Sequence, residues 1–364
     1  MSVVIKWLFA AGLIASLTAQ AAAAPKTAPL SIATLSAKPA TANSELRFPL
    51  ITDAGNAARA INLYLQAVEL QRRPGRDATA KLALSANSSI TALDYEIAGN
   101  TGRVLSLRLR GVRDGVAFSH LHSFDVVSGL PIGLADLFSP EGYGRLRGHA
   151  ATPRVQRIRA FQQQLDPNNE EQSEQRELYE DCLPAVRGDT LTDNQIELAP
   201  AHVALERPDC ATPELLALDV LRPLRIELPL GSLPPDLNDY GRCALLLPAN
   251  SALVCALPPK QGLRLGSYAG AIDGKDRINL VIERLYDGDR VDASWSREAD
   301  GRYHPLQGRV QRDGKAKLFE SAPGSEELQV EFTLFGKADG SFDGQWRSIS
   351  GGAALKSLEL KPLH

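Results

Sequence analysis

From Phe48 onward the spacing of apolar residues switches between the helical and the extended period, and the switches mark the elements. Ala58, Ile61, Leu65 and Val68 fall on one stripe of a helix predicted from about Ala54 to Gln71, which Pro74-Gly75 ends. Apolar residues then alternate with acidic ones in Leu93-Asp94-Tyr95-Glu96-Ile97 and with polar ones in Leu105-Ser106-Leu107-Arg108-Leu109-Arg110, the mark of strands. A third strand is expected from Phe118 to Val127, turning at Ser128-Gly129. Ile158, Phe161 and Leu165 give an amphipathic helix that Asp166-Pro167-Asn168-Asn169 interrupts, and a Glu/Gln-rich run continues as a second helix toward Leu178. Strand patterns return at Ile196-Glu197-Leu198, His202-Val203-Ala204-Leu205 and Leu224-Arg225-Ile226-Glu227-Leu228. This mixture predicts an α+β domain over residues 47–257.

Pro258-Pro259 and Gly262 mark a boundary, after which the pattern is regular. Asp-Gly pairs at 273–274, 287–288, 300–301, 313–314 and 339–340 recur about every 13 residues, with Pro323-Gly324 near the missing place. Asp-Gly favours the positive-φ geometry of tight hairpins. The segments between, such as Ile278-Asn279-Leu280-Val281-Ile282 and Val330-Glu331-Phe332-Thr333-Leu334-Phe335, read as strands. The expected fold of residues 262–364 is an all-β antiparallel meander, an eight-stranded up-and-down barrel, with a two-sheet sandwich as the alternative. A glycine recurs inside strands in Tyr268-Ala269-Gly270-Ala271-Ile272, Leu306-Gln307-Gly308-Arg309-Val310 and Phe342-Asp343-Gly344-Gln345-Trp346, which suggests bends where a sheet curls.

The N-terminus adds a destination. Lys6, an apolar run from Trp7 to Leu17 and the small-residue exit Ala19-Gln20-Ala21 have the form of a secretory signal, cut after Ala21. The run is well short of the ~20 residues that span a bilayer, and no later stretch is long and apolar enough, so no permanent membrane anchor is expected. Residues 22–46, rich in Ala, Pro, Ser and Thr, read as a flexible leader. A formal net charge of -3 gives no hint of a nucleic-acid partner.

Cys182, Cys210, Cys243 and Cys255 form an even set in a chain read as exported, so disulfides are expected. Of three pairings the sequence-local one, Cys182–Cys210 with Cys243–Cys255, is favoured over the others. His120 and His122 flank one residue of a strand and so share a face, a spacing that supplies two metal ligands. A third would have to come from elsewhere, with His149 and Asp125 as the candidates. The default reading is paired polar residues, with no metal and no cofactor. Acid pairs such as Glu170-Glu171 and Glu326-Glu327 read as solvated surface. Neither a Gly-x-Ser-x-Gly elbow nor a glycine-rich phosphate loop occurs, so no catalytic residue is assigned. Tyr268, Trp295, Phe335 and Trp346 are the aromatic residues expected to line the barrel, around a small apolar ligand or as a filled core.

Short segments of the first domain resemble a known extracytoplasmic domain. They are Phe48-Pro49 ahead of the Ile61-Asn62 helix, Val104-Leu105-Ser106-Leu107, His122-Ser123-Phe124-Asp125-Val126-Val127-Ser128-Gly129, and Leu134-Ala135-Asp136-Leu137-Phe138. A closing stretch runs from Pro223 to Tyr240-Gly241. Together they resemble the domain shared by RsiV-like lysozyme-sensing anti-sigma factors and PdaC-like peptidoglycan deacetylases, over residues of about 45–245. The resemblance implies an α+β binding module, and in the anti-sigma members lysozyme as partner. It carries over no catalytic residue.

The function expected from all this is a soluble, exported, periplasmic binding or adaptor protein, not an enzyme, recognising lysozyme or a peptidoglycan-related partner in the envelope. A carrier of a small apolar ligand through the barrel is the alternative, and an envelope hydrolase a weaker one.

Overall fold

In a computed structural model of the chain, residues 28–37, 45–71, 89–188 and 196–363 are described, apart from 208, 249–250, 252, 259–261, 287–288, 300–301, 323, 350–351 and 353. The signal-like segment, the Pro74-Gly75 stop and the Asp287-Gly288 and Asp300-Gly301 turns lie outside the described residues.

The chain opens with a strand, β1 (Ile32–Ala37), paired antiparallel with β2 (Leu46–Ile51). Within the leader expected over residues 22–46, the described residues 32–37 are therefore a paired strand and not flexible chain. Leu30, Ile32 and Leu35 pack against the buried core while the backbone of β1 satisfies the edge of β2, and a segment poor in large apolar residues needs no more than that. Helix α1 (Asn56–Leu70) follows, ending on Gln71 in the left-handed conformation. Strands β3 (Ile90–Asn100), β4 (Val104–Arg113) and β5 (Val116–Asp125) form an antiparallel sheet. One face of β4, with Leu105, Leu107 and Leu109, packs against α1.

Next come the short α2 (Leu134–Leu137), then α3 (Pro140–Gln162) and α4 (Glu170–Arg187), separated where Asp166-Pro167 predicted a break. Helix α3 starts well before its apolar stripe, because Ser139 caps it through Gly142 N–H and Pro140 needs no donor in the first turn. A second sheet, β6 (Ile196–Leu198), β7 (His202–Arg207) and β8 (Leu224–Pro229), lies against the other face of β4, and α5 (Asp239–Leu246) closes the α+β part.

Strands β9 (Gly266–Ile272), β10 (Asp276–Leu285), β11 (Arg290–Arg297), β12 (His304–Val310), β13 (Lys315–Ser321), β14 (Leu328–Gly336), β15 (Phe342–Ser348) and β16 (Lys356–Pro362) follow. They close into an eight-stranded barrel, each pairing antiparallel with its sequence neighbour and β16 with β9. The turns carry the expected geometry: Asp273 and Gly274 both have positive φ, and so do Gly314, Gly324 and Gly340. The recurrent glycines lie on inward-facing rows, where no side chain fits. A Cβ at Gly270 would lie 1.7 Å from the Glu359 carbonyl oxygen, and one at Gly308 would lie 1.8 Å from that of Lys317.

One departure from the sequence expectation positions everything else. Helix α1 is buried almost all round rather than along one stripe, because the barrel's outer face covers the side turned away from the sheet. Leu63 and Ala67 face Asn279, Val281 and Tyr303 across this junction, and the Tyr64 hydroxyl donates to the Glu283 carbonyl at 3.0 Å.

Candidate functional site

Beneath that junction three side chains converge. Register pairs His122 with Leu107 and His120 with Leu109, so both imidazoles stand on the face of β5 that meets α1. Glu69, in the last turn of α1, points its carboxylate between them. Oε1 lies 2.6 Å from His122 Nε2 and 2.9 Å from His120 Nδ1, while Oε2 lies 3.1 Å from His120 Nδ1. The Glu69 side chain is 0% exposed, His122 6% and His120 24%, so the cluster reaches solvent on the His120 side. The rings are held in place: His120 lies 4.8 Å from Phe118, and His122 sits edge-on to Tyr64 at 5.9 Å. Arg113 donates to the Glu69 backbone carbonyl, and its Nη2 stands 3.7 Å from Oε2.

Burial alone would raise the Glu69 carboxyl. The charges and hydrogen bonds of His120 and His122 outweigh it and hold the group far below the usual carboxylate range. The helix end works the other way, since its exposed carbonyls make a carboxylate in the last turn unfavourable. A cationic or strongly donating surrounding is therefore built into the position.

Neither residue proposed from sequence as a third partner is there. Asp125 falls on the opposite face of β5, where Tyr240 and Ser128 donate to it, and His149 is exposed on α3. Glu69 escaped notice although it continues the stripe of Ala58, Ile61 and Leu65 four residues on. A carboxylate on an apolar stripe was the signal available.

The other candidates resolve as follows. The cysteines pair as Cys182–Cys210 and Cys243–Cys255. Glu170, Glu171, Glu326 and Glu327 are exposed. Tyr268, Trp295 and Trp346 are buried in a barrel interior filled by apolar side chains, among them Phe332, Phe342 and Leu360. Phe335 has the opposite parity from Phe332 and Leu334 and lies half-buried outside, under the Lys315 ammonium at 5.6 Å.

Two further groups were not legible in the sequence. Arg108, Glu197, Glu206 and Arg225 form a largely buried quartet between the two small sheets, with Arg108 Nη2 2.5 Å from Glu197 and 2.6 Å from Glu206. Burial pushes the Glu197 carboxyl up, but Arg225 and Arg108 outweigh it and keep the group below its ordinary value. Glu283, on the outer face of the barrel under α1, is pushed up from 4.5 to about 7, chiefly by burial; Ser294 and the Tyr303 hydroxyl, 3.1 Å away, oppose the rise.

The second disulfide closes a loop with exposed apolar residues on both arms: Leu246 and Leu247 after Cys243, and Leu253 and Val254 before Cys255. Leu253 is 60% exposed. Buried Arg103, in the β3–β4 turn, anchors this loop from below. Its Nη1 donates to the Cys243 carbonyl at 2.7 Å, and its Nη2 to those of Pro248 and Ser251 at 3.3 Å.

No protein-family model matches the chain, and no curated protein matches it. Among the described residues, no helix is long and apolar enough to cross a membrane.

Proposed function

We propose that this chain is an exported, non-catalytic binding or adaptor protein of the bacterial periplasm, whose α+β part presents the 243–255 loop to a protein or cell-wall partner. The observation that carries the reading is the combination there: Leu246, Leu247, Leu253 and Val254 exposed to solvent beside the Cys243–Cys255 disulfide, with Arg103 donating to the carbonyls of Cys243, Pro248 and Ser251. Exposed leucine and valine gain transfer free energy when a partner buries them, and a disulfide-closed segment gives up less entropy on docking than an unconstrained one. A floppy loop with the same residues would lose much of that gain in ordering.

The compartment rests on independent support. All four cysteines are paired, as an oxidising compartment favours. The first 21 residues have the form of a cleaved signal. The resemblance of residues of about 45–245 to RsiV-like and PdaC-like extracytoplasmic domains makes lysozyme and peptidoglycan fragments the first partners to test. The full chain passed over immobilised lysozyme and over immobilised peptidoglycan fragments is expected to be retained on one of them. Flow-through on both supports at micromolar protein would remove both partners.

A further inference from the structure

The structure assigns a further site, beyond the binding reading: we propose that Glu69, His120 and His122 together hold one divalent first-row transition-metal ion. One ligand atom from each residue lies within 4.8 Å of the others, the dimensions of a coordination shell that side-chain adjustment closes. Tetrahedral bonds of about 2.0–2.2 Å separate ligand atoms by roughly 3.3 Å. The present contacts of 2.6 and 2.9 Å from Glu69 Oε1 therefore open by about half an ångström as an ion replaces the bridging protons.

Each component is prepared for this. Glu69 lies at the negative end of α1 with no solvent around it, where a bare carboxylate calls for a cation. Phe118 and Tyr64 fix the two rings, and Arg113 at 3.7 Å steadies Oε2 while leaving Oε1 to the imidazoles. Two imidazole nitrogens and one carboxylate oxygen suit zinc, cobalt or nickel, whereas calcium and magnesium take all-oxygen shells. The partial exposure of His120 leaves a path for the ion and a fourth position for water. Because α1 lies between β5 and the barrel, the ion ties helix to sheet directly under the junction.

The competing account is a hydrogen-bonded cluster, with each neutral imidazole donating one N–H to Glu69 and Arg113 supplying the balancing charge. The two differ in stoichiometric binding. Full-length protein, stripped with chelator and dialysed, is titrated with Zn²⁺ by calorimetry and with Co²⁺ by visible absorption, with Ca²⁺ and Mg²⁺ as controls. One ion per chain, micromolar or tighter, is expected, with a Co²⁺ spectrum of low coordination number and a melting temperature raised by Zn²⁺. His120→Ala, which sits at the exposed edge and leaves the core intact, should weaken binding by about 100-fold or more, as should His122→Ala. His149→Ala should change nothing. Absence of a stoichiometric ion, or affinity unchanged in both histidine variants, overturns the site. If His122→Ala fails to fold, His120→Ala and the Co²⁺ spectrum decide alone.

Discussion

Replacing Glu283 by Gln should stabilise the protein above about pH 4.5, by an amount that grows until about pH 7. The carboxyl lies under α1 on the barrel's outer face, raised from 4.5 to about 7 chiefly by burial. A group whose folded value exceeds its unfolded one binds its proton more tightly in the native state. Its contribution is therefore fully present below about pH 4.5 and is lost as pH rises through about 7. The whole interval corresponds to about 3 kcal/mol, and allowing for the partial exposure of Glu283 leaves about 2 kcal/mol. Gln keeps the shape and still accepts from the Tyr303 hydroxyl, but never ionises. Thermal unfolding of wild type and Glu283→Gln is followed from pH 4 to pH 9. The two curves should coincide near pH 4, separate progressively between about pH 4.5 and pH 7 and stay a constant distance apart above that, the variant ending roughly 3–5 °C higher. A difference that is flat with pH, or a variant that is less stable at pH 8, would refute the reasoning.

Four other substitutions test the packing and the charge pairing. Arg108→Met leaves Glu197 and Glu206 buried with Arg225 alone and should cost about 3–5 kcal/mol in urea unfolding at pH 7. Gly308→Ala forces a Cβ against the Lys317 carbonyl and should cost about 2–3 kcal/mol or more. Gly144→Ala, on an exposed stretch of α3 with open space around it, should gain roughly 0.5–1 kcal/mol in the same assay. Arg103→Met strips donors from the carbonyls of Cys243, Pro248 and Ser251, with a loss of about 2–3 kcal/mol and faster amide exchange at Leu246, Leu247, Leu253 and Val254.

The barrel was the most legible part of the chain, for reasons visible at single residues. A meander is a local fold in which every turn carries its own chemistry, so Asp273-Gly274 and Asp313-Gly314 announce hairpins without reference to anything distant. Gly270, Gly308 and Gly344 suggest only bends in the sequence; that each also lets a neighbouring backbone carbonyl approach is seen in the structure alone. Phe335 shows the limit: aromatic character is read directly, but its side of the sheet depends on counting parity from Phe332 and Leu334. The disulfide pairing followed from proximity in sequence. What stayed hidden was the docking of α1 under the barrel, which no period in either segment records. That contact buries Glu283, which reads from sequence as an ordinary outward residue of β10. Glu69 was overlooked for a related reason. Its partners are some fifty residues away, and only the register of β5 brings His120 and His122 to the face that α1 covers. The Arg108 quartet likewise draws on four strands, each contributing one charge that alone looks like alternation.

The central claim, a binding protein that works through its stapled loop, is tested most directly by the affinity of one surface variant. Kd for lysozyme and for peptidoglycan fragments is measured by biolayer interferometry with wild type and with Leu253→Asp, whose exposed position should leave the melting temperature unchanged. The account predicts binding to one of the two ligands by wild type and at least about tenfold weaker binding by the variant, the loss of about 1.4 kcal/mol expected for one docked leucine. Binding of neither ligand, or equal binding by both proteins, would contradict it.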